Sequence, residues 1–358
     1  MIESLCDDFL NSKKVLYHFF DHANDYLNGK RDFFPHAVEV HPTAKCNHAC
    51  IHCSYKERNE NRAEMDEKTF FELIDSIVAM KVSGVFFSGG GEPCIYPYLK
   101  EGITRLHEGG VEVAIISNGS LFEKTGIIEV VDQLNYIAVS VPSVTAENFE
   151  KITGKPYVDE ILSLPGKIRR IHGDRSPIIG TRVVITNIIA KEVPLIHKTL
   201  KECGYDYANF KIVRDYESRG LGVSPEMEQE LKAEVEKLGN DGLLDPKFTN
   251  LDRIFDYRKP YKPERTCHMN QMGMLAAVTP EGDMYHNISE IGRDEFLIGN
   301  LHDAPIDKLW NSKRHEEVKK ASHELWISGK CKDCRSIGFN CRINEVLEGL
   351  PSKRDPFI

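Results

Sequence analysis

The chain has no apolar run approaching the roughly 20 residues that a membrane helix requires. Its 46 Lys and Arg are outnumbered by 55 Asp and Glu. The net charge of -9 leaves no broad basic surface for a phosphate backbone, so nucleic acid is not an expected partner. The first residues, Met1-Ile-Glu-Ser-Leu-Cys-Asp-Asp, carry neither a basic n-region nor an apolar h-region, so export is not expected and a disulfide framework has no oxidising compartment to form in. What is present is a chain of 358 residues, 41% hydrophobic and 28% charged, long enough for one large α/β domain plus a smaller unit. Ten cysteines, mostly in two clusters far apart in sequence, suit metal binding in a reducing cytoplasm. Cys6, Cys94 and Cys203 stand alone and read first as small buried or half-buried thiols.

The first cluster is Cys46-Asn-His-Ala-Cys50-Ile-His-Cys53, a C-x3-C-x2-C triplet directly after the β-prone run Ala37-Val-Glu-Val-His-Pro-Thr. Three thiolates on one short loop can hold three irons of a [4Fe–4S] cube, and with no fourth cysteine nearby one iron stays open. A structural zinc loop is the alternative, although zinc wants four ligands and usually takes C-x2-C pairs.

From residue 37 the pattern alternates strand and helix. Strands are predicted at 37–41, 85–87, 111–116, 136–141, 178–186 and 209–213, with helices at 66–80, 97–107, 158–172 and 191–202 between them. Strands that each feed a helix imply a parallel sheet with right-handed crossovers. In such a sheet the chemistry sits on loops at the carboxyl ends of the strands. Residues 1–36 read as an N-terminal helical lid or brace, 37–223 as the barrel, 224–266 as a linker helix and loop marked by Pro246, Pro260 and Pro263, and 267–358 as a second, cysteine-bearing domain.

The triplet, with His52 before its last cysteine, resembles the signature of the radical S-adenosylmethionine (SAM) family. The resemblance implies an open (β/α)6 partial TIM-like barrel. It also implies a cofactor pair: SAM chelates the open iron through its amino and carboxylate groups and is cleaved by one electron to a 5′-deoxyadenosyl radical. Ser88-Gly-Gly-Gly-Glu-Pro93 follows the second strand and resembles the family's glycine-glycine-glutamate motif; Gly89, Gly90, Gly91 and Glu92 would then meet the SAM ammonium. Asn118, at the end of the next strand, reads either as a SAM or substrate ligand or as Asn-Gly turn chemistry. Ser140 stands where the family presents a serine to SAM, but Pro142 replaces the Asp frequently found two residues on. Arg182, an isolated charge in an apolar strand, either meets an anion such as the SAM carboxylate or faces solvent. Lys211 and Arg214, at the sixth strand, are placed to hold an anionic substrate group.

Residues 267–345 resemble the C-terminal twitch or SPASM extension of the same family, a β-hairpin and helix that hold auxiliary clusters. A strand at 274–279, the turn Pro280-Glu-Gly282-Asp283, a return strand at 284–285 and a helix containing Leu309 and Trp310 precede Cys331-Lys-Asp-Cys334 and Cys341. The family pattern wants a cysteine at 287, where this chain has Asn287 preceded by His286, and another near Glu345. Four cysteines remain, so the resemblance implies one auxiliary [4Fe–4S] cluster on Cys267, Cys331, Cys334 and Cys341, or a variant in which His286 replaces one of them. A zinc knob on the same four cysteines is the alternative. The extension is expected to close the barrel mouth against water.

Proteins of this build modify peptides or remodel small metabolites. No peptide-recognition domain is evident, which points to a small polar substrate (a sugar, aminocyclitol or nucleoside) that is oxidised, epimerised or otherwise remodelled. Peptide maturation is the alternative, and a non-catalytic metal-binding scaffold the reading from another class. An auxiliary cluster can take up or supply a second electron, and a flavodoxin- or ferredoxin-type reductant is implied. For an epimerase, Cys94 or Cys203 would be the thiol to test as hydrogen donor.

Overall fold

The computed structural model describes residues 22, 25–26, 28–30, 33–215, 218–255, 266–331, 340 and 343. It divides into two compact units, Val40–Ile74 with Gly84–Arg258, and Met1–Glu39 with Asp75–Ser83 and Lys259–Ile358. None of the described helices is long and apolar enough to cross a membrane.

The larger unit is a partial (β/α)6 barrel. In chain order it is built on the last residue of β1 (Ala37–Val40), the first part of α1 (Glu67–Ala79), β2 (Gly84–Phe87), α2 (Leu99–Glu108), β3 (Glu112–Ser117), β4 (Tyr136–Ser140), α3 (Ala146–Thr153), α4 (Val158–His172), β5 (Ile178–Ile185), α5 (Val193–Glu202), β6 (Tyr207–Ile212) and α6 (Pro225–Asn240). Strands β2 to β6 lie parallel in sequence order, as a succession of crossovers of one hand requires. At the other side Ser88 N–H donates to the carbonyl of Val40, the last residue of β1, at 3.0 Å.

Side chains alternate across each strand, and register assigns whole rows to one face. Val85, Phe87, Val113, Ile115, Ile137, Val139, Ile179, Val183, Ile185, Phe210 and Ile212 are all buried and form the face covered by helices. The opposite rows, with Ala114, Ile116, Arg182, Val184 and Asn209, are only half-buried, and Ser140 and Lys211 are exposed. Those rows line the lumen. At its amino end Gly180 leaves space for Tyr207, whose ring stacks on Tyr136 with centroids 5.9 Å apart; a Cβ at 180 would stand 1.8 Å from that ring.

Pro165 lies inside α4 and has no N–H to offer the Ile161 carbonyl one turn back. The buried Tyr205 hydroxyl donates to that carbonyl instead, at 2.7 Å. A local defect is thus satisfied from the turn just before β6.

The barrel runs past residue 223. Helix α6 buries Leu231 and Val235, and Ala208 N–H donates to Phe248 O at 2.7 Å. The Asn250 amide takes both backbone groups of Phe210, accepting from its N–H at 2.7 Å and donating to its carbonyl at 2.9 Å. The outer edge of β6 is therefore covered by a side chain that imitates a strand. Within the span expected as a linker helix and loop, residues 225–255 thus include segments that pack against the last strand of this unit.

The smaller unit holds α7 (His268–Gln271), β7 (Leu275–Val278), β8 (Asp283–Tyr285), β9 (Leu297–Asn300), α8 (Ile306–Trp310) and α9 (Lys313–Ile327), with β7, β8 and β9 antiparallel. Gly282, at φ +85, turns the hairpin. Phe33, His36 and Ala37 are tied to this unit: the His36 and Ala37 N–H groups donate to the Gly273 and Met274 carbonyls, and Trp310 Nε1–H donates to Phe33 O at 2.7 Å, while most of the brace expected over residues 1–36 lies outside the described residues. Strand β9 and helix α9 were not expected; α9 is charged around most of its circumference, and its start is marked only by Ser312, which accepts from His315 N–H.

Replacing Tyr205 by Phe leaves the Ile161 carbonyl buried without a donor, and the expected loss is about 1–3 kcal/mol of barrel stability. Adding Pro165→Ala restores the missing N–H and should recover most of it. Denaturant midpoints of the single and double variants check this, and equal losses in both would refute it.

Candidate functional site

The cysteine loop leaves β1 and is pinned from three sides. Ala49 and Ile51 N–H groups donate to Thr153 and Ile152 carbonyls at the end of α3, at 2.8 and 3.0 Å. His48 stacks on Tyr157 with ring centroids 5.7 Å apart. Arg219 Nη1 donates to the carbonyls of Ile51 and Cys53, at 3.2 and 2.9 Å. Within the loop Cys53 N–H donates to Cys50 O and His48 N–H to Cys46 Sγ. Burial raises the Cys46 thiol to about 11, helped by the nearby Glu92 and Cys53 charges, and raises Cys50 to about 12, helped by Cys46 and Cys53. Cys46 is exposed and Cys50 and Cys53 are half-buried, and thiolates at these positions would repel one another, so the donor set suits a soft polycationic group. The cysteines therefore fit an iron–sulfur cluster. His52 is lowered to about 4 by burial and then by Arg219, so its ring is neutral.

The Gly-Gly-Gly-Glu segment runs beside the entry to this loop. Gly91 and Glu92 N–H groups donate to the Thr43 and Lys45 carbonyls, each at 2.8 Å, and Asn59 Nδ2 donates to Gly90 O. A Cβ on Gly89 would stand 2.0 Å from the His41 ring, and one on Gly91 2.0 Å from the Lys45 carbonyl oxygen. The glycines thus make the close approach of two backbone segments.

Glu92 is 2% exposed. Its carboxylate accepts from Ser117 Oγ at 2.7 Å, Asn118 N–H at 2.7 Å and Cys94 N–H at 3.0 Å, while burial pushes its pKa up. Asn118 Nδ2 donates to Asn47 Oδ1 at 2.8 Å, and Asn47 Nδ2 donates to Ser120 Oγ at 2.9 Å. The Asn118 side chain also reaches the Cys46 thiol. The ends of β2 and β3 and the cysteine loop are joined in one network.

Across the lumen, register sets Ser140 beside Arg182 and Arg182 beside Asn209. The Arg182 guanidinium makes no ion pair or hydrogen bond that is seen among the described residues, and Lys211 is exposed one step nearer the mouth. Arg214, also exposed, lies just beyond β6. Beyond Pro142 the turn after β4 is braced by Glu192, whose carboxylate accepts from Ser143 Oγ, Thr145 Oγ1 and Asn148 Nδ2 at 2.9, 3.1 and 2.6 Å. Cys94 is buried with its Sγ 3.6 Å from Ser117 Oγ, and Cys203 ends α5 at the amino end of the strands. A hollow of about 480 Å³ between Arg169 and Asp206 also lies at that amino end, away from the cysteine loop.

The smaller unit contains a cavity of about 220 Å³ whose wall includes Cys267, Cys331, His286 and Glu290. Asn340 Nδ2 donates to Cys267 Sγ at 3.2 Å. Two of the four expected auxiliary ligands thus share one cavity, a placement that fits a cluster; Cys334 and Cys341 lie outside the described residues. Asn287, where a cysteine would be expected, caps the turn Ile288–Glu290 by accepting from Ser289 N–H at 3.2 Å. Burial holds His286 well below its ordinary pKa and His315 at about 4.

Arg219 and Glu192 escaped the sequence reading. Arg219 sits in the loop after β6 and Glu192 ends a short 3-10 turn just before α5, where apolar periodicity says nothing of a polar partner. The one signal for Arg219 is Asp215 four residues earlier, which accepts from the N–H groups of Arg219 and Leu221 and shapes the turn.

Comparison with known proteins gives two family matches: the Radical SAM superfamily over residues 40–200, and SPASM, an iron–sulfur cluster-binding domain, over 267–335. A Pyrococcus furiosus protein described as a tungsten-containing aldehyde ferredoxin oxidoreductase cofactor-modifying protein is 23% identical over 320 residues, 82% of this chain and 85% of its own. The Fe-coproporphyrin III synthase of Methanosarcina barkeri is 25% identical over 292 residues, 75% of this chain and 71% of its own. Streptococcus suis SuiB, solved with S-adenosylmethionine, shares the fold with a TM-score of 0.63 at 14% identity, covering 97% of this chain and 83% of SuiB.

Gly91→Ala should push the Lys45 carbonyl out of place and cut iron retained by the first cluster at least severalfold, while Arg219→Ala should make that iron labile to chelators. Iron and sulfide counts after anaerobic reconstitution check both; undiminished iron in Gly91→Ala would show that the loop does not depend on this approach.

Proposed function

We propose that this chain, a radical SAM enzyme with a C-terminal SPASM iron–sulfur domain, abstracts a hydrogen atom from a small polar molecule (a sugar, an aminocyclitol, a nucleoside or a compound of like size) and oxidises, epimerises or otherwise remodels it. When bound, the cluster and SAM supply a 5′-deoxyadenosyl radical. Cys46, Cys50 and Cys53 would hold three irons of the first cluster, and Cys267, Cys331, Cys334 and Cys341 a single auxiliary one. Gly89, Gly90, Gly91, Glu92 and Asn118 would shape the wall against which the SAM methionine lies, with His52 packed behind the loop. Arg182 would bind the SAM carboxylate, with Ser140 beside it, while Lys211 and Arg214 would meet an anionic substrate group. Reducing power would come from a flavodoxin- or ferredoxin-type donor.

The observation that carries the substrate reading is the polar side of the lumen, where Ser140, Arg182 and Asn209 stand abreast and Lys211 lies one step nearer the mouth, among neighbours that are otherwise small, aliphatic or aromatic. A half-buried guanidinium without an anion is costly, and a ligand carboxylate or phosphate would relieve that cost. The two sequence relatives matched over at least 75% of this chain bear names of non-peptide chemistry, which supports a small molecule. Peptide modification is the alternative. It leans on the solved complex of SuiB with its precursor peptide SuiA, a likeness of fold alone at 14% identity.

Anaerobically reconstituted protein should hold about eight irons, falling to about four with loss of 5′-deoxyadenosine formation in a Cys46/Cys50/Cys53→Ala variant. Arg182→Ala should raise the KM for SAM by about 10- to 100-fold, the worth of one charge-assisted pair. Deuterium transfer into 5′-deoxyadenosine from labelled sugars and nucleosides, set against labelled peptides, identifies the substrate class. Transfer from peptides alone would overturn the small-molecule reading.

A further inference from the structure

We propose that His286 is a ligand of the auxiliary iron–sulfur centre, bound through Nε2 alongside Cys267 and Cys331. The proposal rests on the reading of the smaller unit as a cluster site and adds to it a nitrogen donor that the four late cysteines do not supply.

The argument is one of hydrogen-bond bookkeeping. The Trp310 carbonyl can only accept, so His315, whose Nδ1 faces it, must carry its proton on Nδ1. The neutral ring then has a lone pair on Nε2. That nitrogen lies 2.7 Å from His286 Nδ1, so His286 donates from Nδ1 and keeps its own lone pair on Nε2. The tautomer of His286 is thus dictated two groups away by a backbone carbonyl.

The far end of this chain of donors is buried: His286 is 3% exposed, and its Nε2 makes no hydrogen bond among the described residues. Its ring lies flat on Trp310, with centroids 5.4 Å apart and planes 10° from parallel, so it is held in one orientation. The residue lines the cavity that also exposes Cys267 and Cys331. A buried, unprotonated imidazole nitrogen, with its other ring N–H held by an acceptor, is the arrangement that metal-binding histidines take. A buried lone pair without a donor is otherwise costly. Asn287, the residue aligned with the missing cysteine, is turned to capping and cannot take the role.

The test uses the full chain carrying Cys46/Cys50/Cys53→Ala, so that only the auxiliary centre remains and SAM cleavage plays no part in the readout. Protein grown with 14N- or 15N-histidine is reconstituted anaerobically, reduced, and examined by electron spin-echo hyperfine spectroscopy. A strong nitrogen coupling that changes with the histidine isotope is expected. Adding His286→Cys should keep the iron content, abolish that coupling and move the midpoint potential to more negative values, because thiolate replaces imidazole. A retained cluster without histidine coupling in the His286 protein overturns the proposal, and that comparison decides it even where His286→Cys does not fold. Failure of the radical chemistry in the unsubstituted chain, with this coupling present in the variant, would count against the proposed function alone.

Discussion

A single buried carboxylate holds the reactive end of the barrel together. Glu92 takes hydrogen bonds from the end of β3 at Ser117 and Asn118 and from the turn after β2 at Cys94. Through Asn118 and Asn47 the same network reaches the cysteine loop. Removing it would leave two backbone N–H groups and a hydroxyl buried without acceptors, each costing about 1–3 kcal/mol. A loop that must present three mutually repelling thiols cannot rest on flexible support. Fixing two strand ends and the loop to one group supplies the rigidity that positioning requires.

The barrel was legible because hydrophobic runs separated by helical patterns leave few topologies open. The strand expected at 111–116 appears at Glu112–Ser117, and the helix expected at 158–172 at Val158–His172. The cysteine triplet was legible because ligand spacing is local. Arg219 and Glu192 were not, since each acts on a partner more than forty residues away and only folding brings them together. The glycines were read as an approach to a ligand, and the fold adds an approach to the cysteine loop itself. Boundaries failed where elements were short or charged: β9 has four residues, and α9 carries too little apolar periodicity to announce itself.

The C-terminal unit shows how a departure from a family pattern can be read. The absent cysteine at 287 leaves a polar cap in its place, and the neighbouring histidine is oriented by residues from two other elements. Neither fact is visible in spacing, because the acceptor that sets the tautomer is a backbone carbonyl 24 positions away in sequence. Burial supplies the rest, since an imidazole kept neutral in the core is a donor to metals rather than a charge.

The contact of Gly89 with the His41 ring, of Gly91 with the Lys45 carbonyl, and of Asn59 with the Gly90 carbonyl makes two motifs separated by some forty residues into one piece of backbone. Sequence drift in either is then not independent. An extra atom at 89 or 91 is tolerable only if the segment from 41 to 45 retreats, and a retreat carries the three thiols with it. Among descendants of this chain, paired substitution should leave its trace as covariation between residues 41–45 or 59 and residues 89–91, with the cysteines themselves unchanged.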